Sequence, residues 1–198
     1  MLRLESLKVH GLEPVSLEVG PGECLAVQGP SGSGKTLLLR AIADLDPVEG
    51  QVFLNGTERA SLSGPDWRKR VRYGAAEPGW WATTPRPHYS DPARAEELAG
   101  TLGLAPKSLD RPITQLSTGE RQRLALVRSL EDSPAVLLLD EPTGALDAKA
   151  TEAAERLIAE ERAAGRTVVL VSHDPNQVKR LAGRRLVLEA GKARLAEP

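Results

Sequence analysis

Cys24-Leu25-Ala26-Val27-Gln28-Gly29-Pro30-Ser31-Gly32-Ser33-Gly34-Lys35-Thr36 is the stretch that decides the fold. Its apolar start reads as a strand buried on both faces, and the run Thr36–Leu45 beyond the glycines reads as a helix. Between them, Gly29–Thr36 satisfies the phosphate-loop pattern in the strand–loop–helix context that the pattern requires. Glycines let such a loop curl until successive backbone N–H groups point inward at β- and γ-phosphates. The following helix adds its partly positive N-terminus. Gly29, Pro30, Ser31, Gly32, Ser33 and Gly34 therefore read as a phosphate cradle. Lys35 supplies a point charge and the Thr36 hydroxyl a ligand for Mg²⁺. The competing reading is a chance glycine-rich turn, and a second motif weighs against it.

That motif is Val136-Leu137-Leu138-Leu139-Asp140-Glu141, a buried strand ending in adjacent carboxylates. In a parallel sheet, ligands gather at the carboxyl ends of strands. Asp140 is then placed beside Mg²⁺, and Glu141 faces the γ-phosphate where it polarises an attacking water. Alone, an Asp-Glu pair after an apolar strand reads equally well as a helix cap.

Outward from these motifs the chain alternates. Leu2–Val9 and Val15–Val19 read as strands before the loop. Pro47 and Gly50 close the first helix, and Gln51–Leu54 is a strand ended by Asn55-Gly56, a hairpin signal. From Ala76 to Asp132 the character becomes helical, with Asp91-Pro92 opening a helix to about Leu102 and a second helix over Thr118–Leu130. Alternation resumes with strand Val136–Asp140, helix Ala148–Ala164, strand Thr167–Ser172 and helix Pro175–Leu181. Strands Arg185–Leu188 and Ala193–Leu195 follow, joined by a turn at Gly191. Continuous apolar strands alternating with helices argue for a mainly parallel sheet covered on both faces.

The 26 basic and 27 acidic residues nearly cancel, which gives no electrostatic pull toward nucleic acid or an anionic membrane. Cys24 is the only cysteine and sits in an apolar strand, so it reads as a buried structural thiol in a reducing compartment. The N-terminus lacks the layout of a signal peptide, and the longest apolar runs are too short to span a bilayer. A soluble, cytoplasmic protein is expected, free to dock onto a membrane partner.

Neither motif names the class of nucleotide enzyme. The discriminating stretch is Leu116-Ser117-Thr118-Gly119-Glu120, small residues at a helix start that make an anion site without a lysine. It reads also as an ordinary capping box, with Ser117 as cap and Glu120 three residues on. Here the chain resembles the ATP-binding cassette family over its whole length. Walker A falls at Gly29–Thr36, the signature at Leu116–Glu120, Walker B at Val136–Glu141, a D-loop-like Gly144–Asp147, and a switch histidine at His173. The resemblance implies a P-loop NTPase α/β core with an N-terminal antiparallel β subdomain and a small α-helical insert. Residues 1–75 and 133–198 would form the ATPase core and 76–132 the signature subdomain. It further implies a head-to-tail homodimer in which Ser117 and Gly119 reach the γ-phosphate of the partner's ATP. His173 would contact the γ-phosphate, and Asp147 would line the interface.

The chain departs from the family pattern in three respects. Thr118 and Glu120 stand where the family usually has glycine and glutamine. Ala76, in the Q-loop-like Val71–Pro78, replaces the expected glutamine, so that either Glu77 beside it substitutes or the contact is absent. The adenine-stacking aromatic falls on His10. Trp80 and Trp81, in a proline-rich loop, suit a surface that receives a helix of a membrane subunit, or else pack into the insert. The expected function is the ATPase subunit of a transporter with transmembrane domains on a separate chain, peripheral on the inner face of the cell membrane. The alternative, favoured by Ala76, is a non-transport ATPase that regulates or assembles a protein complex.

Overall fold

Polar and apolar residues alternate along Leu2–Lys8 (β1) and Val15–Val19 (β2), and the two strands pair antiparallel. Their apolar sets, Leu2, Leu4 and Leu7 with Val15, Leu17 and Val19, are buried on one face. The structure is a computed structural model that describes residues 1–196. Cys24–Gln28 (β3) belongs to a second sheet. Glu49–Leu54 (β4) pairs with the other side of β1, and Thr57–Glu58 (β5) folds back on it through Asn55-Gly56. The small sheet runs β2-β1-β4-β5.

Lys35–Ile42 (α1) follows the phosphate loop, and Gly64–Arg70 (α2) leads into the edge strand Val71–Gly74 (β6). The helical insert carries Pro92–Thr101 (α3) and Thr118–Leu130 (α4). After it come Val136–Asp140 (β7), Ala148–Ala163 (α5), Thr167–Val171 (β8) and Pro175–Leu181 (α6). Arg184–Glu189 (β9) and Lys192–Ala196 (β10) close the chain's described part. The large sheet has the order β10-β9-β3-β8-β7-β6, parallel throughout except for β10 on β9.

Successive residues of its central strands serve opposite cores. Leu25, Val27, Val136, Leu138, Val169 and Val171 pack toward α1 and the small sheet, while Ala26, Leu137, Leu139, Val168 and Leu170 pack toward the insert and α5. This two-sided burial is why these strands read as unbroken apolar runs. Cys24 is buried among them, and burial pushes its thiol up to about 12. Among the described residues, no helix is long and apolar enough to cross a membrane.

Several expected boundaries move. α1 stops at Ile42, three residues before Leu45, because Asp44 turns out of the helix with φ 59°. Its last carbonyls are then taken by side chains: Trp67 Nε1 donates to Ile42 O at 2.9 Å and Arg59 Nη1 to Ala41 O at 3.0 Å. Gly50 does not end that helix but lies inside β4 at φ 95°. A Cβ there would stand 2.4 Å from Ser6 O, where β1 bulges between Glu5 and Lys8. β1 and β8 each end one residue early. α2 and β6 were not anticipated, although Ser63, which accepts from Asp66 N at 3.2 Å, and Pro65 are ordinary helix-start residues.

In the insert, the Asp91 carboxylate accepts from Ala93 N (3.1 Å) and Arg94 N (3.0 Å), opening α3 as its sequence suggests. Tyr89 donates its hydroxyl to Leu124 O at 2.9 Å, tying the proline-rich loop to α4.

Candidate functional site

β3 ends at Gln28, and the chain turns through residues 29–34 before α1 begins. Gly29 is the turn's fixed point. With φ 153°, a Cβ there would lie 2.3 Å from Leu188 O of β9 and 2.7 Å from Ser33 Oγ, so only glycine fits. Among the described residues no side chain caps α1, which leaves its first-turn N–H groups for a ligand. Lys35 is buried and bends back over the loop, its Nζ donating to Gly29 O (2.8 Å) and Pro30 O (2.9 Å). An ammonium has three donors, so one remains. Ser33 Oγ is buried without a hydrogen-bond partner among the described residues. An orphaned hydroxyl, a buried ammonium and uncapped helix N–H groups lack acceptors, and phosphate oxygens supply them. The cradle fits a phosphorylated ligand.

Asp140 closes the site from β7. It is 2% exposed. Its Oδ2 accepts the Thr36 hydroxyl at 2.7 Å and the Tyr73 hydroxyl, from β6, at 3.2 Å. A carboxylate and a hydroxyl are hard oxygen donors of the kind that Mg²⁺ takes. Burial and the Asp140 charge push the Tyr73 phenol up, so it stays a donor at neutral pH.

Because β7 and β8 pair in parallel with Asp140 opposite Val171, the residues just past their ends are neighbours. Glu141 and His173 occupy those places, and His173 Nε2 lies 3.0 Å from Glu141 Oε1. Glu141 holds a left-handed backbone at φ 48°, with its N–H donating to Val171 O at 3.0 Å. For a residue with a side chain that conformation costs on the order of 1–3 kcal/mol and is typical of functional positions.

Ser117 and Gly119 open α4. Ser117 Oγ accepts from Glu120 N (3.1 Å) and Glu120 Oε2 accepts from Ser117 N (2.8 Å), so the capping box is real. That backbone N–H, with Arg111 at 2.7 Å, holds the Glu120 carboxyl below its ordinary range. Neither Ser117 nor Gly119 bonds to residues 29–36 among the described residues. Gly119 instead faces Ala145 O, 3.1 Å from where a Cβ would stand.

Two buried polar arrangements were missed by sequence reasoning. Gln122 spans the loop after β7: its Nε2 donates to Glu141 O (2.7 Å) and its Oε1 accepts from Ala145 N (2.6 Å). Gln177 donates to Thr143 Oγ1 (2.9 Å) and to Glu155 Oε1 (3.1 Å), and Arg180 forks onto Glu155 at 2.7 Å. Together they tie both flanks of the Glu141–His173 contact to α4, α5 and α6.

Of the remaining expected residues, His10 is exposed and makes no hydrogen bond or ring contact among the described residues. Its turn adjoins the loop all the same. Leu12 Cδ1 lies 3.2 Å from where a Gly34 Cβ would stand, and Glu13 N donates to Gly191 O at 2.7 Å. Ala76 lines a cleft of about 340 Å³ with Glu77, Thr118, Arg121 and Gln122. Asp147 caps α5, accepting from Ala150 N at 2.8 Å. The tryptophans divide: Trp80 packs against the insert core and edge-on to His88, whereas Trp81 is 74% exposed. Arg128 lies over both rings, 4.8 and 5.4 Å from their centroids.

Comparison with known proteins draws these features together. A family model described as "ABC transporter" matches residues 12–144. The chain is similar to the sulfate/thiosulfate import ATP-binding protein CysA 1 of Agrobacterium fabrum, at 41% identity over 91% of this chain and 57% of that protein. It is also similar to the phosphate import ATP-binding protein PstB 2 of Natronomonas pharaonis, at 35% identity over 94% of this chain and 74% of that protein. It spans 57–60% of the length of CysA 1 and two further sulfate/thiosulfate import relatives. Among solved structures, a dimeric ATP-binding cassette in a post-hydrolysis state, bound to ADP and Pi, superimposes with a TM-score of 0.84. That match has 28% identity and covers 100% of this chain and 98% of the other. With its phosphate cradle and strand-end carboxylates inside the matched span, the chain belongs to the ABC transporter family.

Proposed function

We propose that this chain binds and hydrolyses ATP to energise a membrane transporter whose transmembrane parts lie on a separate chain. The observation that carries this reading is a convergence at one sheet edge: the Lys35–Thr36 end of the cradle, buried Asp140, and the Glu141–His173 contact. In this reading residues 29–36 hold the phosphates. Thr36 and Asp140 hold Mg²⁺, which when bound neutralises phosphate charge. Glu141 accepts a proton from the attacking water, and His173 keeps that carboxylate oriented while contacting the γ-phosphate. His10 flanks the adenine.

Ser117 and Gly119 serve the site of a second copy in a head-to-tail homodimer. This is supported by their lack of bonds to this chain's own loop and by the dimeric state of solved relatives. Residues 1–75 and 133–198 act as the ATPase core and 76–132 as the signature subdomain; Glu197 and Pro198 lie outside the described residues. A separate membrane subunit is supported by the import ATP-binding proteins among the relatives, and exposed Trp81 suits its docking face. The working location is the inner face of the cell membrane, with no nucleic acid partner, in keeping with a formal net charge of −1.

The test is purification from membranes in mild detergent, followed by nucleotide binding and turnover. The expected result is a stoichiometric multi-spanning partner and Mg²⁺-dependent ATP hydrolysis that Lys35→Ala abolishes together with binding. Recovery of soluble partners alone would overturn the transport reading, and hydrolysis that survives Lys35→Ala would overturn the site.

A further inference from the structure

Tyr73 stands on β6, opposite Leu138 of β7. Asp140 lies two residues beyond Leu138, on the same face of the sheet, so the phenol reaches diagonally to it. Two hydroxyls, from α1 and from the edge strand, thus meet on a single carboxylate oxygen, Asp140 Oδ2, at 2.7 and 3.2 Å. A carboxylate's terminal torsion is otherwise broad. Two donors on one oxygen fix the carboxylate's plane and leave the lone pairs of the other oxygen to a cation.

We propose that Tyr73 is a positioning residue for Asp140, setting the Mg²⁺ concentration at which the nucleotide site fills. The inference rests on the reading above that Thr36 and Asp140 hold the cation. It gives β6 a part in the site just ahead of Ala76, where the usual coupling side chain is missing.

The opposing account is that Tyr73 only packs, since its ring is half-buried against the core beneath α1. Tyr73→Phe separates the two, because it keeps the ring and removes the hydroxyl. The measurement is affinity for a fluorescent, non-hydrolysable ATP analogue as free Mg²⁺ is varied. The variant is expected to need about fivefold more Mg²⁺ for the half-maximal gain in affinity, the equivalent of one ordinary net hydrogen bond. Its affinity in EDTA should match that of the unsubstituted chain. Thr36→Ala and Tyr73→Phe should combine non-additively, since both remove donors from the same oxygen. A Tyr73→Phe titration that overlays the unsubstituted one overturns the proposal and leaves the site reading intact. An unsubstituted chain whose nucleotide affinity ignores Mg²⁺ overturns the assignment of Thr36 and Asp140, and the proposal with it.

Discussion

His173 Nε2 sits 3.0 Å from Glu141 Oε1, joining the residue that follows β7 to one just past the end of its parallel neighbour β8. The contact is built on sheet register, since Asp140 lies opposite Val171. Strand pairing therefore sets the backbone positions from which the two side chains meet.

Glu141→Gln should keep nucleotide binding and lower turnover by at least about 100-fold, the usual worth of a positioned general base. With ATP present it should also trap a dimer that size-exclusion chromatography resolves. His173→Ala should lower kcat with little change in nucleotide affinity. Near-normal turnover of Glu141→Gln would remove that residue from the role of base.

Gln122→Leu keeps the volume of a side chain that touches both Glu141 O and Ala145 N, but takes from Ala145 N its acceptor and leaves Glu141 O with Gly144 N alone. A buried orphan costs about 1–3 kcal/mol, so urea denaturation should show a loss in that range. Turnover should fall as well, because the Glu141 backbone loses a restraint. A variant as stable as the parent would show that water replaces both bonds.

Trp67 is fully buried, and its indole N–H is the donor for Ile42 O at the end of α1. Trp67→Ala should cost about 3–5 kcal/mol. Trp67→Phe should cost less, about 1–3 kcal/mol, chiefly through the unpaired carbonyl. Thermal melts separate the two, and a Trp67→Phe variant as stable as the parent would mean that the hydrogen bond carries no weight.

The sequence made the core of the fold legible where local chemistry and tertiary role agree. The β3–loop–α1 unit, the strand Val136–Asp140 and the capped starts of α3 and α4 each announce themselves within a dozen residues. Where a residue's partner is remote, the signal fades. Gln122 reads as one more polar residue on an amphipathic helix, yet its partners lie 19 and 23 residues away. Tyr73 is 67 residues from Asp140, and nothing in Val71–Gly74 says that its ring faces a carboxylate. Gly50 misled for a related reason: a glycine after a helix suggests a stop, whereas this one is required by a bulge in a strand more than forty residues earlier.

Glu120 ties stability to pH. Its folded-state pKa is depressed, so its stabilisation is fully present above the ordinary carboxylate value of 4.5 and is lost as pH falls through the folded value. Glu120→Gln retains a capping side chain, and at neutral pH should cost only about 0.3–1 kcal/mol for the lost charge at a helix N-terminus. The gap between parent and variant in urea midpoint should stay constant from pH 6 to 8 and close below about pH 4.5. A gap that widens on acidification would contradict the assignment.

Cys24, the only cysteine in the chain, lies within a sheet strand with its thiol pushed up to about 12. At neutral pH it offers alkylating and spin-labelling reagents almost no thiolate. The protein is thus a ready-made silent background for site-directed labelling, with no cysteine to remove beforehand. Ser31→Cys on one copy and Thr118→Cys on another, both at exposed positions, become the only reactive handles. In a head-to-tail pair they should cross-link between chains when ATP is added and stay apart without it. Any bridge that forms then reports which ends of the two copies meet.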